Sequence, residues 1–168
     1  CVSTDSSEIK EIAKKYGIFC PKLRPKYLSK SHSSSADVCL HEIKNYEKSN
    51  KINLNYIILL QPTTPFRSVN LFNETKKIYL KNNRPTYSIS KLSNKKYLYS
   101  NNRKNFFLNN KKNYYEINGS MYFISRKDIF EKKSFFKFKN FNISIFKSKK
   151  YSIDIDTVYD FEEAKKFL

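Results

Sequence analysis

The feature that most constrains the fold is a short, almost uninterrupted apolar run, LNYIILLQ, at residues 54–61. A run of this length without a polar face is typical of a central strand that is covered on both sides. Around it, helical spacing of apolar residues and strand-like alternation follow one another along the chain. Strands alternating with helices predict an α/β fold with a mainly parallel sheet, and polar chemistry at the C-terminal ends of its strands. The predicted helices are 6–17, 36–49, 68–83 and 157–168, and the further predicted strands are 86–92, 119–125, 141–147 and 151–156.

The length of 168 residues fits one domain with a substantial core, so we expect a single domain over residues 1–168. A Lys- and Asn-rich stretch at 93–116 fits the alternation less well. We interpret it as an excursion from the sheet, a hairpin that could serve as an arm for dimerisation.

The net charge of +18, from 33 Lys and Arg against 15 Asp and Glu, raises the hypothesis of a nucleic-acid-binding protein. The basic residues are scattered, and no zinc-finger or RNP pattern accompanies them, which disfavours a nucleic-acid partner. Cys1, Cys20 and Cys39 are far apart and form no CxxC pattern, so we expect ordinary thiols in a reducing compartment. The chain has no apolar run of membrane-spanning length and no signal-peptide pattern, and we expect a cytoplasmic protein without a membrane partner.

Two carboxylates near the end of the chain, Asp154 and Asp156, stand on either side of a single isoleucine. On an extended strand, side chains two residues apart share a face, so these carboxylates would lie side by side. Such a pair suits a hard cation at a strand end. The alternative is a solvated strand face followed by Asp156 and Thr157 as helix N-cap residues, and the pattern alone leaves both readings open.

The loop after the apolar strand, in LLQPTTPFR at 59–67, contains Pro62 and Pro65. Both prolines fix the backbone, so the loop is expected to be rigid. It would hold polar groups near the strand end, where a polar ligand could lie. These groups belong to Gln61, Thr63, Thr64 and Arg67.

Taken together and in order, four parts of the chain resemble the CMP-sialic acid synthetases, the cytidylyltransferases that activate acylneuraminate and related nonulosonic acids. They are VSTDSSEI at 2–9, Arg24 with Pro25, LLQPTTPFR at 59–67, and NGSMYFI at 118–124 together with IDIDT at 153–157. The resemblance implies a Rossmann-like nucleotidyltransferase sheet. It also implies transfer of CMP from CTP to a nonulosonic acid with release of pyrophosphate, by an enzyme that forms a homodimer.

The resemblance further implies roles for single residues. Asp154 and Asp156 would be the catalytic pair that holds Mg²⁺ against the triphosphate. Residues contacting the sugar acid would be Gln61, Thr63, Thr64, Asn118 and Gly119, and those holding the cytidine nucleotide would be Arg24 and Ser35.

One departure from the family concerns the start of the chain. Family members open with a strand and a phosphate-binding loop of the type ARxGSKxxxxKN, whereas this chain opens with CVSTD. We therefore expect the first strand, loop and helix to be missing and CTP turnover by this chain alone to be impaired. An inactive remnant that dimerises or binds a sugar acid remains the alternative, and a cytidylyltransferase for 3-deoxy-manno-octulosonate is the nearest rival among enzymes.

Overall fold

The computed structural model describes residues 1–91, 105–107 and 114–168. They group into two compact units, Cys1–Asn55 with Arg126–Phe135 and Tyr56–Ser125 with Phe136–Leu168. No helix within the described ranges is long and apolar enough to cross a membrane. The single domain expected over 1–168 stays a prediction. The elements, in chain order, are α1 (Ser7–Lys15), α2 (Ser35–Asn50), β1 (Tyr56–Leu59), α3 (Val69–Leu80), β2 (Thr86–Lys91), β3 (Asn105–Phe107), β4 (Tyr114–Ser125), α4 (Arg126–Lys132), β5 (Asn142–Phe146) and α5 (Val158–Lys165).

In the first unit, α1 and α2 form where apolar spacing predicts them. Ser6 caps α1 by accepting the N–H of Ile9 at 3.3 Å, and Ser34 caps α2 by accepting that of Asp37 at 3.0 Å. These hydroxyls satisfy backbone donors that the first helical turn leaves without a partner. After α1 the chain turns at Gly17, whose φ of +66° is a conformation that glycine adopts at little cost.

Helix α4 is not among the helices that the sequence predicts. It is short and mostly charged, and Ile129 is its buried residue. An ion pair joins it to α2, since Arg126 donates two hydrogen bonds to the carboxylate of Glu47 at 2.6 and 3.0 Å. The Arg126 guanidinium also lies 4.4 Å from the ring centroid of Phe130. With five charged residues among its seven, this helix leaves little apolar periodicity in the sequence.

The second unit contains a mixed sheet with the hydrogen-bonded order β1-β4-β2-β5, and β3 also pairs with β4. Strand β4 is antiparallel to β1, β2 and β3, whereas β2 and β5 are parallel. Strands β1, β2 and β5 therefore point in the same direction, with β4 running against them. The α/β class is confirmed, and its parallel character resides in these three strands.

The core of the second unit fixes the middle of β4 against α3. Tyr79 of α3 packs on Met121 and Phe123 of β4 and on Phe146 of β5. The ring centroids of Tyr79 and Phe123 are 5.7 Å apart. Burying aromatic side chains of this size contributes roughly 1.5–3 kcal/mol each. The strand that carries the NGS sequence is thus held firmly.

The strand predicted at 151–156 is wrong. Residues Lys149–Ser152 form a 3₁₀ turn, and the chain from 153 to 156 is not in a strand. The alternation of apolar and acidic residues is real, but the segment pairs with a loop: the N–H of Ile155 donates to the carbonyl of Thr63 at 2.8 Å. A strand needs a continuing ladder, and one hydrogen bond to a loop does not provide it.

Most of the predicted excursion at 93–116 lies outside the described residues. Within it, β3 pairs with the start of β4, with Phe106 opposite Tyr115. Strand β4 begins at Tyr114, earlier than the predicted start at 119, because pairing with β3 and β2 extends it through a polar stretch. The proposed role of this segment in dimerisation stays a prediction.

Candidate active site

The loop beyond β1 folds back on itself as its prolines lead us to expect. The carbonyl of Gln61 accepts hydrogen bonds from the N–H and the hydroxyl of Thr64, at 3.3 and 3.1 Å. Thr64 is buried, and its hydroxyl also accepts a hydrogen bond from Arg67 at 2.8 Å. Arg67 in turn donates to the carbonyls of Gln61 and Ser120, the latter at 3.0 Å. The loop is therefore anchored to β4 at the NGS sequence.

Gly119 is the point at which three of the predicted site residues meet. Its φ is +75°, and a Cβ built on it would lie 2.5 Å from Oε1 of Gln61, 3.4 Å from Cγ2 of Thr64 and 3.6 Å from Oδ2 of Asp154. Only a residue without a side chain fits there. The loop after β1, the middle of β4 and the segment before α5 thus converge at one place.

Asn118, the neighbour of this glycine, has its polar groups engaged inside the sheet. Its Oδ1 accepts hydrogen bonds from the hydroxyl of Ser88 at 2.6 Å and from the N–H of Ser120 at 3.1 Å. Its Nδ2 donates to the hydroxyl of Ser90 at 2.7 Å. In the structure Asn118 therefore holds the backbone turn at Gly119, and its predicted contact with substrate stays a prediction.

The segment 153–156 carries both acidic residues, and it brings Asp154 to the site. The hydrogen bond from the N–H of Ile155 to Thr63 places Asp154 beside the loop, where it is half-buried. Asp156 is exposed, and its N–H donates to Asp160 at 3.2 Å. The helix cap itself is Thr157, whose hydroxyl accepts the N–H of Asp160. The pair therefore does not share the face of a strand, and the two carboxylates differ in burial.

Tyr122 is a site residue that the sequence analysis does not identify. Its hydroxyl donates to Oε1 of Gln61 at 3.2 Å, and its ring is buried. Burial, and to a smaller extent the charge of Asp154, raises the pKa of Tyr122, so the hydroxyl remains a donor at physiological pH. The available signal was the single hydroxyl in the otherwise apolar run MYFI, three residues after Gly119.

The donors present fit a hard cation. Oδ1 of Asp154 is buried and finds no hydrogen-bond partner within the described part of the chain. A carboxylate oxygen without a partner is costly to bury, and a cation would satisfy it. No cluster of three or more His, Cys, Asp or Glu side chains occurs among residues 1–91, 105–107 and 114–168. The candidate ligand that this geometry supports is therefore Asp154. The role of the exposed Asp156 as its partner at the metal stays a prediction.

Arg24 and Ser35 belong to the first unit, which is described separately. Arg24 donates to Ser29 at 3.2 Å and to Asp5 at 3.3 Å, and its own N–H bonds the carbonyl of Thr4. Ser35 is the exposed first residue of α2. Their role in holding a nucleotide stays a prediction.

A comparison with a solved structure identifies the fold. The chain matches the structure of a CMP:2-keto-3-deoxy-manno-octonic acid synthetase complexed with CTP, with a TM-score of 0.66 and 14% sequence identity, over 99% of this chain and 78% of that one. The sheet flanked by helices is thus a nucleotidyltransferase fold.

The amino-acid sequence identifies the family to which the chain belongs. The family model of the cytidylyltransferases matches residues 1–168, so the chain belongs to that family. It is also 27% identical to the CMP-N,N'-diacetyllegionaminic acid synthase of Legionella pneumophila over 179 positions, which cover 99% of this chain and 76% of that protein. The resemblance that the motifs indicated is confirmed.

Proposed function

We propose that this protein transfers CMP from CTP to a nonulosonic acid of the sialic-acid type. The observation that carries the proposal is the convergence of Gln61, Thr64 and Asp154 at Gly119. In this family fold, such a convergence joins a candidate sugar-contacting loop to a candidate metal-binding carboxylate. The similarity to a diacetyllegionaminic acid synthase supports an acceptor of this class.

The proposed reaction is a nucleotidyl transfer. The anomeric hydroxyl oxygen of the sugar acid attacks the α-phosphorus of CTP, and a new P–O bond forms. The bond between the α-phosphorus and the bridging oxygen of the β-phosphate breaks, so pyrophosphate leaves and the hydroxyl proton is released. The protein contributes mainly by aligning the nucleophile with the leaving group.

Gln61 is the residue we assign to the sugar acid. Its Oε1 already accepts a hydrogen bond from Tyr122, which fixes the orientation of the amide. Within the described ranges its Nε2 has no hydrogen-bonded acceptor, so this group is available to donate to a hydroxyl or carboxylate of the substrate. Thr63 lies next to it in the same anchored loop and is assigned to the same substrate.

Asp154 and Asp156 are the residues we assign to Mg²⁺. When bound, the cation would neutralise charge on the phosphate oxygens and help to orient the triphosphate. Arg24 and Ser35 are assigned to the cytidine nucleotide, following the motifs in which they stand. We also propose a homodimer, which sedimentation equilibrium of the purified protein tests.

The experiment that tests this function uses protein produced from the complete open reading frame. It is incubated with CTP, Mg²⁺ and, separately, neuraminate, legionaminate, pseudaminate or 3-deoxy-manno-octulosonate derivatives. Pyrophosphate release and the mass of the CMP-sugar are measured. We expect turnover with at least one nonulosonic acid, its loss in Asp154→Asn, and its retention in Glu74→Gln, which removes one exposed charge from the same unit.

Two outcomes would contradict the proposal. Turnover with the octulosonate alone would instead indicate a cytidylyltransferase for 3-deoxy-manno-octulosonate. Absence of CTP binding and of turnover with all four acceptors would remove the cytidylyltransferase activity, and oligomerisation in that case would favour an inactive dimerising protein.

A further inference from the structure

The ladder between β1 and β4 stops just before the site. Its last pair is Leu59 with Tyr122. Two residues further along each strand, continued pairing would set Gln61 opposite Ser120. Instead, the carbonyls of both residues accept hydrogen bonds from one side chain, that of Arg67. A guanidinium therefore occupies the position at which the next ladder step would lie.

The loop sequence explains why a side chain is needed there. Pro62 and Pro65 have no backbone N–H, so the loop beyond β1 is poor in donors. The carbonyl of Gln61 receives the N–H of Thr64 at 3.3 Å, which is long for such a bond. Arg67 supplies further donors from two different nitrogens, Nε to Ser120 and Nη2 to Gln61 and Thr64. Only a planar, forked cation can serve acceptors on both strands in this way.

Arg67 is not neutralised by a neighbouring acid. It forms no ion pair with any carboxylate in the described part of the chain, and its hydrogen-bond partners there are neutral oxygens. Burial lowers the pKa of Arg67, and a guanidinium nevertheless stays charged in proteins. A half-buried charge that meets no counter-ion among the described residues indicates that the geometry of its hydrogen bonds matters.

We propose that Arg67 is a positioning residue for the CMP transfer. It holds β1 and β4 at a set separation where their ladder ends, and so fixes the Gln61 side chain in the space next to Gly119. The sequence alone suggested that this guanidinium would face a polar ligand; the structure directs its Nε and Nη2 groups at the protein instead. This inference rests on the proposed function, because its expected effect is on the rate of CMP transfer.

The test compares Arg67→Ala and Arg67→Lys with Arg84→Ala, which removes an exposed arginine from the same unit. Misplacing Gln61 should lower kcat on the order of 100-fold in both Arg67 variants. The KM for CTP should stay within about 3-fold, because the Nε and Nη2 groups of Arg67 donate to oxygens of the protein itself. Added ethylguanidine should partly restore kcat in Arg67→Ala and leave Arg84→Ala unchanged. A raised KM with unchanged kcat would overturn the proposal, as would equal loss in Arg84→Ala.

Hydrogen exchange provides a readout that does not depend on turnover. Peptides covering 60–67 and 117–122 should both exchange faster in Arg67→Lys than in the wild type and in Arg84→Ala. Unchanged exchange in both peptides would overturn the proposed spacing of the strands, whatever the activity. A wild-type protein without turnover, but with faster exchange in Arg67→Lys, would remove the proposed function and support the spacing. If Arg67→Ala does not fold, Arg67→Lys carries both measurements.

Discussion

Replacing Gly119 by alanine gives the sharpest test of the site geometry. The φ of +75° is a left-handed conformation that costs an L-residue about 1–2 kcal/mol. The added Cβ would lie 2.5 Å from Oε1 of Gln61, so that side chain must move. Moving it breaks the 3.2 Å hydrogen bond from Tyr122, a further loss of about 1 kcal/mol. We expect Gly119→Ala to lower the free energy of unfolding by about 2–3 kcal/mol.

Gly17 offers a matched control in the same chain. Its φ of +66° is nearly the same, but a Cβ there would meet nothing within 4 Å. Gly17→Ala should therefore lose the backbone part alone, about 1–2 kcal/mol. Urea unfolding followed by circular dichroism gives both free energies, and their difference isolates the contact with Gln61. CMP transfer should fall at least 10-fold in Gly119→Ala, since Gln61 is displaced, and stay near wild type in Gly17→Ala.

Either of two results would contradict the proposed contact between Gly119 and Gln61. If Gly119→Ala is no less stable than Gly17→Ala and keeps full activity, Gln61 is not held against this glycine. If Gly17→Ala loses as much activity as Gly119→Ala, the loss reflects a general effect of alanine at a left-handed position.

Three further substitutions test the remaining contacts. Asp154→Asn should weaken Mn²⁺ or Mg²⁺ binding at least 10-fold, as measured by calorimetry. It should change the free energy of unfolding by less than about 1 kcal/mol, because Oδ1 has no hydrogen-bond partner in the described part of the chain to lose. Undiminished metal binding would contradict the assignment of Asp154 to the metal. Tyr122→Phe should lower kcat with the acceptor sugar, since the hydroxyl that orients Gln61 is removed, and unchanged kcat would show that this orientation is not needed. Hydrogen bonds from Arg126 lower the pKa of Glu47 from 4.5. The pair therefore stabilises the folded protein above that pH, and this stabilisation is lost as the pH falls through the lowered pKa of Glu47 in the folded state. Glu47→Gln should therefore reduce the free energy of unfolding at pH 7 by less than about 1 kcal/mol. The variant and the wild type should become equally stable near pH 2. A difference between them that stays constant over this pH range would contradict the role given to the ion pair.

The helices and most strands could be predicted because their signals are local. Apolar residues at helical spacing define α1, α2 and α3, and a continuous apolar run defines β1. The segment 151–156 shows the limit of such signals. Its alternation satisfies the pattern of a strand, yet whether a strand forms depends on a partner with free backbone groups, and its described contact is with Thr63 in a loop. Helix α4 is the opposite case, since it forms although its mostly charged sequence carries little apolar periodicity.

The motifs pointed to Gln61, Thr64, Gly119 and Asp154, which the structure brings together, but not to Tyr122 or to the different orientations of neighbouring residues. Asn118 and Gly119 are adjacent in sequence and carry the same resemblance to a substrate site. In the structure the amide of Asn118 is bound by Ser88 and Ser90 of β2, whereas Gly119 opens toward Gln61 and Asp154. Which neighbour faces the sheet depends on cross-strand partners that are about thirty positions away in the chain.

The site can form at this place because regular pairing ends there. A ladder between β1 and β4 that continued past Leu59 would fill the space beside Gly119 with backbone hydrogen bonds and leave no room for a ligand. The prolines remove donors that continued pairing needs, the glycine removes a side chain, and Arg67 donates to the carbonyls of Gln61 and Ser120 in place of a further ladder step. Each of these residues looks like a local irregularity when taken alone. Together they keep the carboxamide of Gln61 and the carboxylate of Asp154 close to each other beside Gly119 and outside the hydrogen-bonded ladder of the sheet. A regular strand end could not provide this arrangement.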